Sequence, residues 1–344
     1  MAERWLLIET FGGDGRVEPT VIGVGSTPKR MVSLTSVLGR GRYLEDVRAL
    51  VARVAASGSS VRTTTRDGAR QLWGDPLVSF SGNVHGVYAW LGLPEEPPPP
   101  RDLAGAWYFN LTTGKIGGSD DLLDLYAVAP EQRRSERVIA EAFGRLITNA
   151  DESAALAVIV NARPGAEHQA TWSVRRDEGQ IRAANFAARA VVERTLDGEE
   201  HVVLRGITHD LGPAESTPSA PPRMVLAQQV LAAEQEPGKH RAIVNLRTLT
   251  LLRWVDDPMP GVAWENDAEH PPAIHPGDLT LATQMSAQLA TAGRVRRELR
   301  LRSTSGEWLT VQIEASLMLL DQHTTAALVT LSQVPQPPTT PTAG

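Results

Sequence analysis

The sequence predicts an α+β protein of three consecutive domains, each a twisted antiparallel sheet flanked by helices. Three observations carry that expectation. Two proline-rich stretches cut the 344 residues into segments of about 95, 110 and 110 residues, each of ordinary domain size. Within every segment, period-two apolar strands alternate with a few amphipathic helical stretches. A basic strand that turns at a glycine into a longer apolar strand occurs in the second segment and again in the third.

The first cut is Pro94-Glu95-Glu96-Pro97-Pro98-Pro99-Pro100, read as a polyproline spacer over 94–101. The second runs from Gly212 to Pro222, and the tail 334–344 repeats its composition. The expected domains are 1–93, 102–212 and 223–333, with linkers at 94–101 and 213–222. In the first, Arg4–Thr10 and Val21–Gly25 read as strands. Tyr43–Ala56 reads as a helix, because Leu44, Val47, Leu50, Val51 and Val54 recur on one face. The segment closes with a hairpin pattern, 76–80 and 84–92 around Ser81-Gly82-Asn83.

The second segment opens with a strand from Gly105 that ends in a turn at Gly114. A helical stretch follows, with Val138, Ile139, Ala142, Phe143 and Leu146 on one face. Leu156–Asn161, Gln169–Arg176, Ile181–Val192 and His201–Ile207 read as strands. The third begins with a connector helix over Met224–Glu236 and a strand over Ala242–Trp254. A helix over Asp278–Leu289 leads to Arg296–Arg302, and strands over Trp308–Leu320 and Thr324–Ser332 finish it.

Composition narrows the function classes. With 42% hydrophobic and 22% charged residues, the chain can bury enough apolar surface to fold. A net charge of -6 offers no broad cationic field for nucleic acid or an anionic membrane. The chain has no cysteine, which excludes disulfides, thiolate metal sites, iron-sulfur clusters and thiol nucleophiles. The longest apolar run, Ala154–Val160, is far below the roughly 18 residues a membrane-spanning helix needs. The N-terminus lacks the apolar core of a signal peptide, so a cytoplasmic location is expected. Only Lys29, Lys115 and Lys239 are lysine, a bias of codon usage in a GC-rich genome.

The ending Arg175-Arg176-Asp177-Glu178-Gly179-Gln180-Ile181-Arg182, followed by Gly206-Ile207-Thr208-His209-Asp210-Leu211, resembles the C-terminal half of a PAS domain. The third segment resembles PAS through His275-Pro276-Gly277-Asp278-Leu279, and the first resembles a GAF domain through Pro76-Leu77 and Val84-His85-Gly86-Val87. The order GAF, PAS, PAS, with no effector motif, is similar to divergent sensor-only proteins of GC-rich bacteria. That resemblance implies three GAF/PAS-like sensor domains, protein partners in a signalling pathway and a small-molecule ligand, with homo-oligomerisation left open. No cofactor is expected. Without cysteine, flavin-thiol and bilin-thioether chemistry are impossible, and no histidine stands between Glu131 and Asn149 to hold a haem.

As a ligand pocket the sequence nominates Trp107, Phe109, Phe143, Trp172 and Phe186, the aromatic residues of the second segment able to line a space between sheet and helices. No catalytic or metal site is nominated. Gly12-Gly13-Asp14 reads as a turn, and Asp267, Glu269, His270, His275 and Asp278 as a proline-studded solvated loop. The competing expectations are an enzyme that uses Asp120, Asp121 and Asp124, and a purely structural adaptor. The three acids read more simply as the charged start of a helix.

Overall fold

A computed structural model describes residues 4–12, 17–147, 151–161, 163–195, 197–218, 233 and 235–334. It contains three antiparallel sheets, one for each expected domain. The first domain comprises β1 (Leu6–Glu9), β2 (Thr20–Val24), β3 (Thr27–Ser33), α1 (Leu34–Leu38), α2 (Leu44–Ser57), β4 (Val61–Thr64), β5 (Gln71–Val78) and β6 (Val84–Gly92). The second contains β7 (Ala104–Asn110), β8 (Lys115–Gly118), α3 (Asp120–Leu125), β9 (Arg137–Val138), α4 (Ile139–Phe143), β10 (Leu146–Ile147), α5 (Glu152–Asn161), β11 (Glu167–Arg175), β12 (Ile181–Arg194) and β13 (Glu200–Pro213). The third is built from β14 (Lys239–Val244), β15 (Leu251–Trp254), α6 (Leu279–Ala292), β16 (Arg294–Arg302), β17 (Trp308–Leu319) and β18 (Thr325–Gln333).

One strand order recurs. It reads β2-β1-β6-β5-β4 in the first domain, β8-β7-β13-β12-β11 in the second and β15-β14-β18-β17-β16 in the third. In each, the first strand lies at the centre beside the last, with its own hairpin partner outside it. The two strands that precede the last complete the other half. The turns at Gly179 and Gly306 join equivalent strand pairs and both take positive φ, 88° and 87°, which glycine adopts without a Cβ penalty.

The chain forms two compact units, Met1–Glu136 with Arg145–Met224, and Arg137–Gly144 with Val225–Gly344. In the first unit, alternation along β1 sends Ile8 to one face of its sheet and Leu7 to the other. Ile8, Val21, Leu72, Val87 and Ala89 pack against the apolar stripe of α2, where Leu44, Val47, Leu50, Val51 and Val54 are all buried as the periodicity requires. Leu7, Ile22, Leu77, Tyr88 and Trp90 pack with Ala104, Ala106, Ala187 and Ile207, so the first and second sheets share one core. At Gly86 a Cβ would stand 2.5 Å from Ile207 Cδ1 and 2.9 Å from the Ile8 carbonyl, so only glycine allows this approach.

Polar side chains are buried in the same seam. The Glu9 carboxylate accepts from Thr20 Oγ1 at 2.7 Å, the Phe11 amide at 2.8 Å and Arg189 Nη2 at 3.3 Å. Its side chain is 1% exposed and that of Arg189 7%. Arg205 donates to the Phe11 carbonyl, and Gln169 to that of Lys29. The expected spacer at 94–101 is a pinned strap. Trp5 Nε1 donates to the Pro99 carbonyl at 2.7 Å, Gln71 Nε2 donates to the carbonyls of Leu93 and Glu96, and Arg101 pairs with Asp75.

In the second unit, Ala282, Met285 and Leu289 of α6 bury against Val295, Leu299, Val311, Ile313 and Ala315. Residues 137–144 belong to this unit. Ile139, Ala140 and Phe143 of α4 are buried, and α4 packs on β15. The Glu141 carboxylate accepts from the Val138 and Asn266 amides and pairs with Arg137.

Several elements differ from the sequence expectation. Leu156–Asn161 is the end of helix α5 rather than a strand. Its alanines favour helix, and Leu156, Ala157, Ile159 and Val160 are buried at helical spacing. The expected strand Ala242–Trp254 is a hairpin, turned where the Leu249 amide donates to the Asn245 carbonyl and Leu249 takes φ 56°. The helix expected across Val138–Leu146 shrinks to α4, and Leu146 pairs with Val174 in the second sheet. Gly13 and Asp14 of the Gly12-Gly13-Asp14 string, and nearly all of the connector helix expected over 224–236, lie outside the described residues.

Candidate ligand face of the middle domain

Strand register places the nominated aromatics. Directly paired residues of antiparallel neighbours share a face. One row across the second sheet reads Gly118, Trp107, Gly206, Ala188, His168. The adjoining rows read Ile116, Phe109, Leu204, Ala190 on one side and Gly105, Thr208, Phe186, Ala170 on the other. Asp210, Ala184 and Trp172 follow. Trp107, Phe109, Trp172 and Phe186 therefore occupy one face, opposite the face that packs on the first sheet.

This face carries the helices. Leu122 of α3 lies against Gly105 and Gly118, where a Cβ would stand 2.3 Å and 2.7 Å from Leu122 atoms. Ser119 caps α3 by accepting from the Leu122 amide, and Asp120 and Asp121 occupy its first turn. The α3 acids meet local needs: Asp124 and Asp120 pair with Arg133, and burial raises the Asp121 carboxyl above its ordinary value. Tyr126 follows α3 beside Thr208, and burial pushes its phenol up to about 12.

Small residues recur on the face at Gly206, Ala188, Ala190, Ala184 and Ala170, with Leu204 and Thr208 among them. Large rings stand over and beside them. Trp107 lies across Gly206, whose Cβ would fall 2.2 Å from the indole, and its ring centroid is 4.9 Å from that of Phe109. Trp172 and Phe186 meet edge to face at 6.4 Å. Trp172 is buried, whereas Trp107, Phe109 and Phe186 are half-buried. Two polar atoms end the central row: Trp107 Nε1 and His168 Nε2 are buried with no hydrogen-bond partner among the described residues. Burial lowers the His168 pKa, which favours the neutral ring.

Phe143 lies on α4 in the second compact unit and is buried, and the other four nominated aromatics share the face. His168, Thr208 and the small-residue row were not nominated. The signal was present, since Gln169–Arg176 and Ile181–Val192 alternate, but pairing register was needed to align them. His209, of the PAS-like closing phrase, is buried in the seam against Gly23 of the first sheet. Asp210 holds Arg182, whose Nε donates to both carboxylate oxygens at 2.9 and 2.8 Å.

In the third domain, the residues of the proline-studded loop are engaged locally. Asp278 pairs with Arg300 at 2.7 Å, which lowers its pKa to about 2, and His275 Nδ1 accepts from the Gly277 amide and its ring packs on Trp308. Among the described residues no group of three or more histidine, aspartate or glutamate side chains could hold a metal ion.

These sheets define a three-domain α+β protein in which one antiparallel strand order recurs. Residues 4–100 match the family model described as Rv3651-like, N-terminal, residues 103–210 the Rv3651-like middle domain, and residues 224–339 the Rv3651-like C-terminal domain. The chain belongs to the Rv3651-like proteins. It is similar to the crystal structure of an uncharacterized protein from Mycobacterium tuberculosis, with 29% identity over 97% of each chain and a TM-score of 0.83. A sensory box histidine kinase/response regulator from Burkholderia thailandensis E264 matches at 20% identity, covering 32% of this chain and 79% of that one, with a TM-score of 0.24. The N-terminal domain of a diguanylate cyclase with PAS/PAC sensor from Marinobacter aquaeolei matches at 18% identity, covering 32% and 95%, with a TM-score of 0.25. Comparison with curated proteins found no match.

Proposed function

We propose that this protein is a sensor-domain-only signalling scaffold of the cytoplasm. Its middle domain takes a small ligand, and the resulting change passes to protein partners by contact. The observation that carries this reading is the helix-covered face of the second sheet, where four aromatic rings surround a floor of glycine and alanine. Trp172, Leu204 and the alanines of this face are buried and belong to the packed core of the domain. Half-buried rings at Trp107, Phe109 and Phe186 instead leave aromatic surface to offer a ligand.

The proposal includes no enzymatic reaction and no cofactor. Asp120, Asp124 and Asp210 are held by arginines. No helix among the described residues is long and apolar enough to cross a membrane. A metabolite panel tested by thermal shift on the full chain checks the reading. A binder present at a hundred times its Kd stabilises by about 2.7 kcal/mol. The response should disappear in Phe186→Ala, and a panel that yields no Phe186-dependent binder counts against the sensor assignment.

A further inference from the structure

We infer that the open edge of β16 in the third domain takes an acidic, extended segment of a partner protein as an added antiparallel strand. This rests on the partner-contact part of the proposed reading and is independent of its ligand. β16 ends the sheet order β15-β14-β18-β17-β16. The Leu317 amide donates to the Gly293 carbonyl, so by alternation Val295, Arg297 and Leu299 also bond toward β17. The backbone of Arg294, Arg296 and Glu298 turns outward.

Farther along, the same edge already accepts extended backbone. The Arg300 carbonyl accepts from the His275 amide, the Arg302 amide donates to the Ala273 carbonyl, and Ile274 pairs with Leu301. In the second sheet β10 closes the equivalent strand, β11, at Val174, which stands as far from Gly179 as Leu301 does from Gly306. The Asp278 carboxylate then takes the Arg300 amide, and the chain departs into α6. Along Arg294–Glu298 no strand among the described residues pairs with the outer side of β16. Arg297 Nη1 donates to the Arg296 carbonyl, an exposed contact that an incoming amide can replace. Charge selects the occupant. Arg294, Arg296, Arg297 and Glu298 are exposed, and Arg294 pairs with Glu314. Arg296 and Arg297 meet neutral side-chain oxygens, those of Gln312 at 3.2 Å and Gln288 at 3.5 Å. A second copy fits poorly, because outward positions must meet outward positions and the two-fold axis of a self-pairing therefore falls on a residue. Centred on Arg294, Arg296, Arg297 or Glu298, it sets that charge opposite its own copy; centred on Val295, it sets Arg294 opposite Arg296. An acidic strand meets no such conflict, and its carboxylates answer Arg296 on the solvent face and Arg297 on the α6 face.

The probe is the peptide acetyl-Thr-Glu-Glu-Val-Glu-Thr-amide, whose glutamates lie opposite Arg297, Arg296 and Arg294 when it pairs antiparallel with the edge. Binding to the full chain is followed by NMR titration and amide hydrogen exchange. The Arg296 and Glu298 amides should shift and exchange more slowly with peptide bound. N-methylation of the second and third glutamates removes two amides directed at β16 and should weaken binding roughly twentyfold, at about fivefold per hydrogen bond. N-methylation of the first glutamate and the valine, whose amides face away, should be tolerated. Arg296→Glu with Arg297→Glu should weaken the acidic peptide roughly tenfold and favour its lysine counterpart. Should that variant fold poorly, the two methylated peptides still decide on the wild-type chain.

No binding of the acidic peptide, equal binding of the two methylated peptides, or slowed exchange away from Arg294–Glu298 overturns the inference. So does a dimer in sedimentation equilibrium in which the same amides are protected without peptide, since a second copy then holds the edge. None of these results touches the Phe186-dependent ligand response, which stands or falls on its own assay.

Discussion

His85 makes the joint between the first two domains acid-labile. Its ring is fully buried in the seam, with Nδ1 3.3 Å from the Gly206 carbonyl and its face set edge-on to Phe11. Burial, reinforced by the Arg205 guanidinium, lowers its pKa to about 3 from the ordinary 6.5. The unfolded chain therefore binds a proton below pH 6.5 that the folded chain refuses, and stability falls as pH drops from 6.5 toward 3. The slope is about 1.4 kcal/mol per pH unit, so moving from pH 7.5 to 5.0 removes about 2 kcal/mol through this one group. His85→Asn keeps a nitrogen near the Nδ1 position and removes the titration. Thermal unfolding of the full chain at the two pH values should show the wild type losing roughly 4–8 °C more than the variant in the transition of the first unit. Identical pH dependence in the two proteins would refute the buried neutral imidazole.

Three further outcomes follow from the same geometry. Arg189→Met strands the buried Glu9 carboxylate and should cost about 3–5 kcal/mol in urea unfolding, whereas an exposed pair such as Arg194 with Glu200 should cost under about 1 kcal/mol. Gly206→Ala forces the Trp107 ring off the sheet and should cost about 1–3 kcal/mol by overpacking; an unchanged Tm would contradict the observed contact. In limited proteolysis, 94–101 should resist cleavage despite its prolines, because its backbone carbonyls are engaged by Trp5 and Gln71; early cutting there would dissolve the shared core of the first two domains.

Local pattern was enough wherever a segment's own periodicity faces a single environment. The α2 stripe, the hairpin β5–β6 and the glycine turns at 179 and 306 were all legible, because side-chain spacing and positive φ are properties of a few consecutive residues. Periodicity failed at Leu156–Asn161, where nearly every position is apolar or small and a strand and a helix read alike. It failed also at Ala242–Trp254, where β-strand residues run on through a turn held by Asn245 and Leu249.

By itself the sequence determined the α+β class, the three-segment plan, the absence of thiol chemistry and four of the aromatics that line the candidate face. Only the tertiary structure decided that the first two sheets share a core, that 94–101 is a pinned strap, and that 137–144, with Phe143, belongs to the same compact unit as the third sheet. It alone also aligned Trp107, Gly206, Ala188 and His168 in one row. The reason is physical. Backbone preference and amphipathic spacing act over a turn or a strand, whereas the row and the seam depend on pairing register and on close approaches at Gly86 and Gly206 between residues tens to more than a hundred positions apart, which no local pattern encodes.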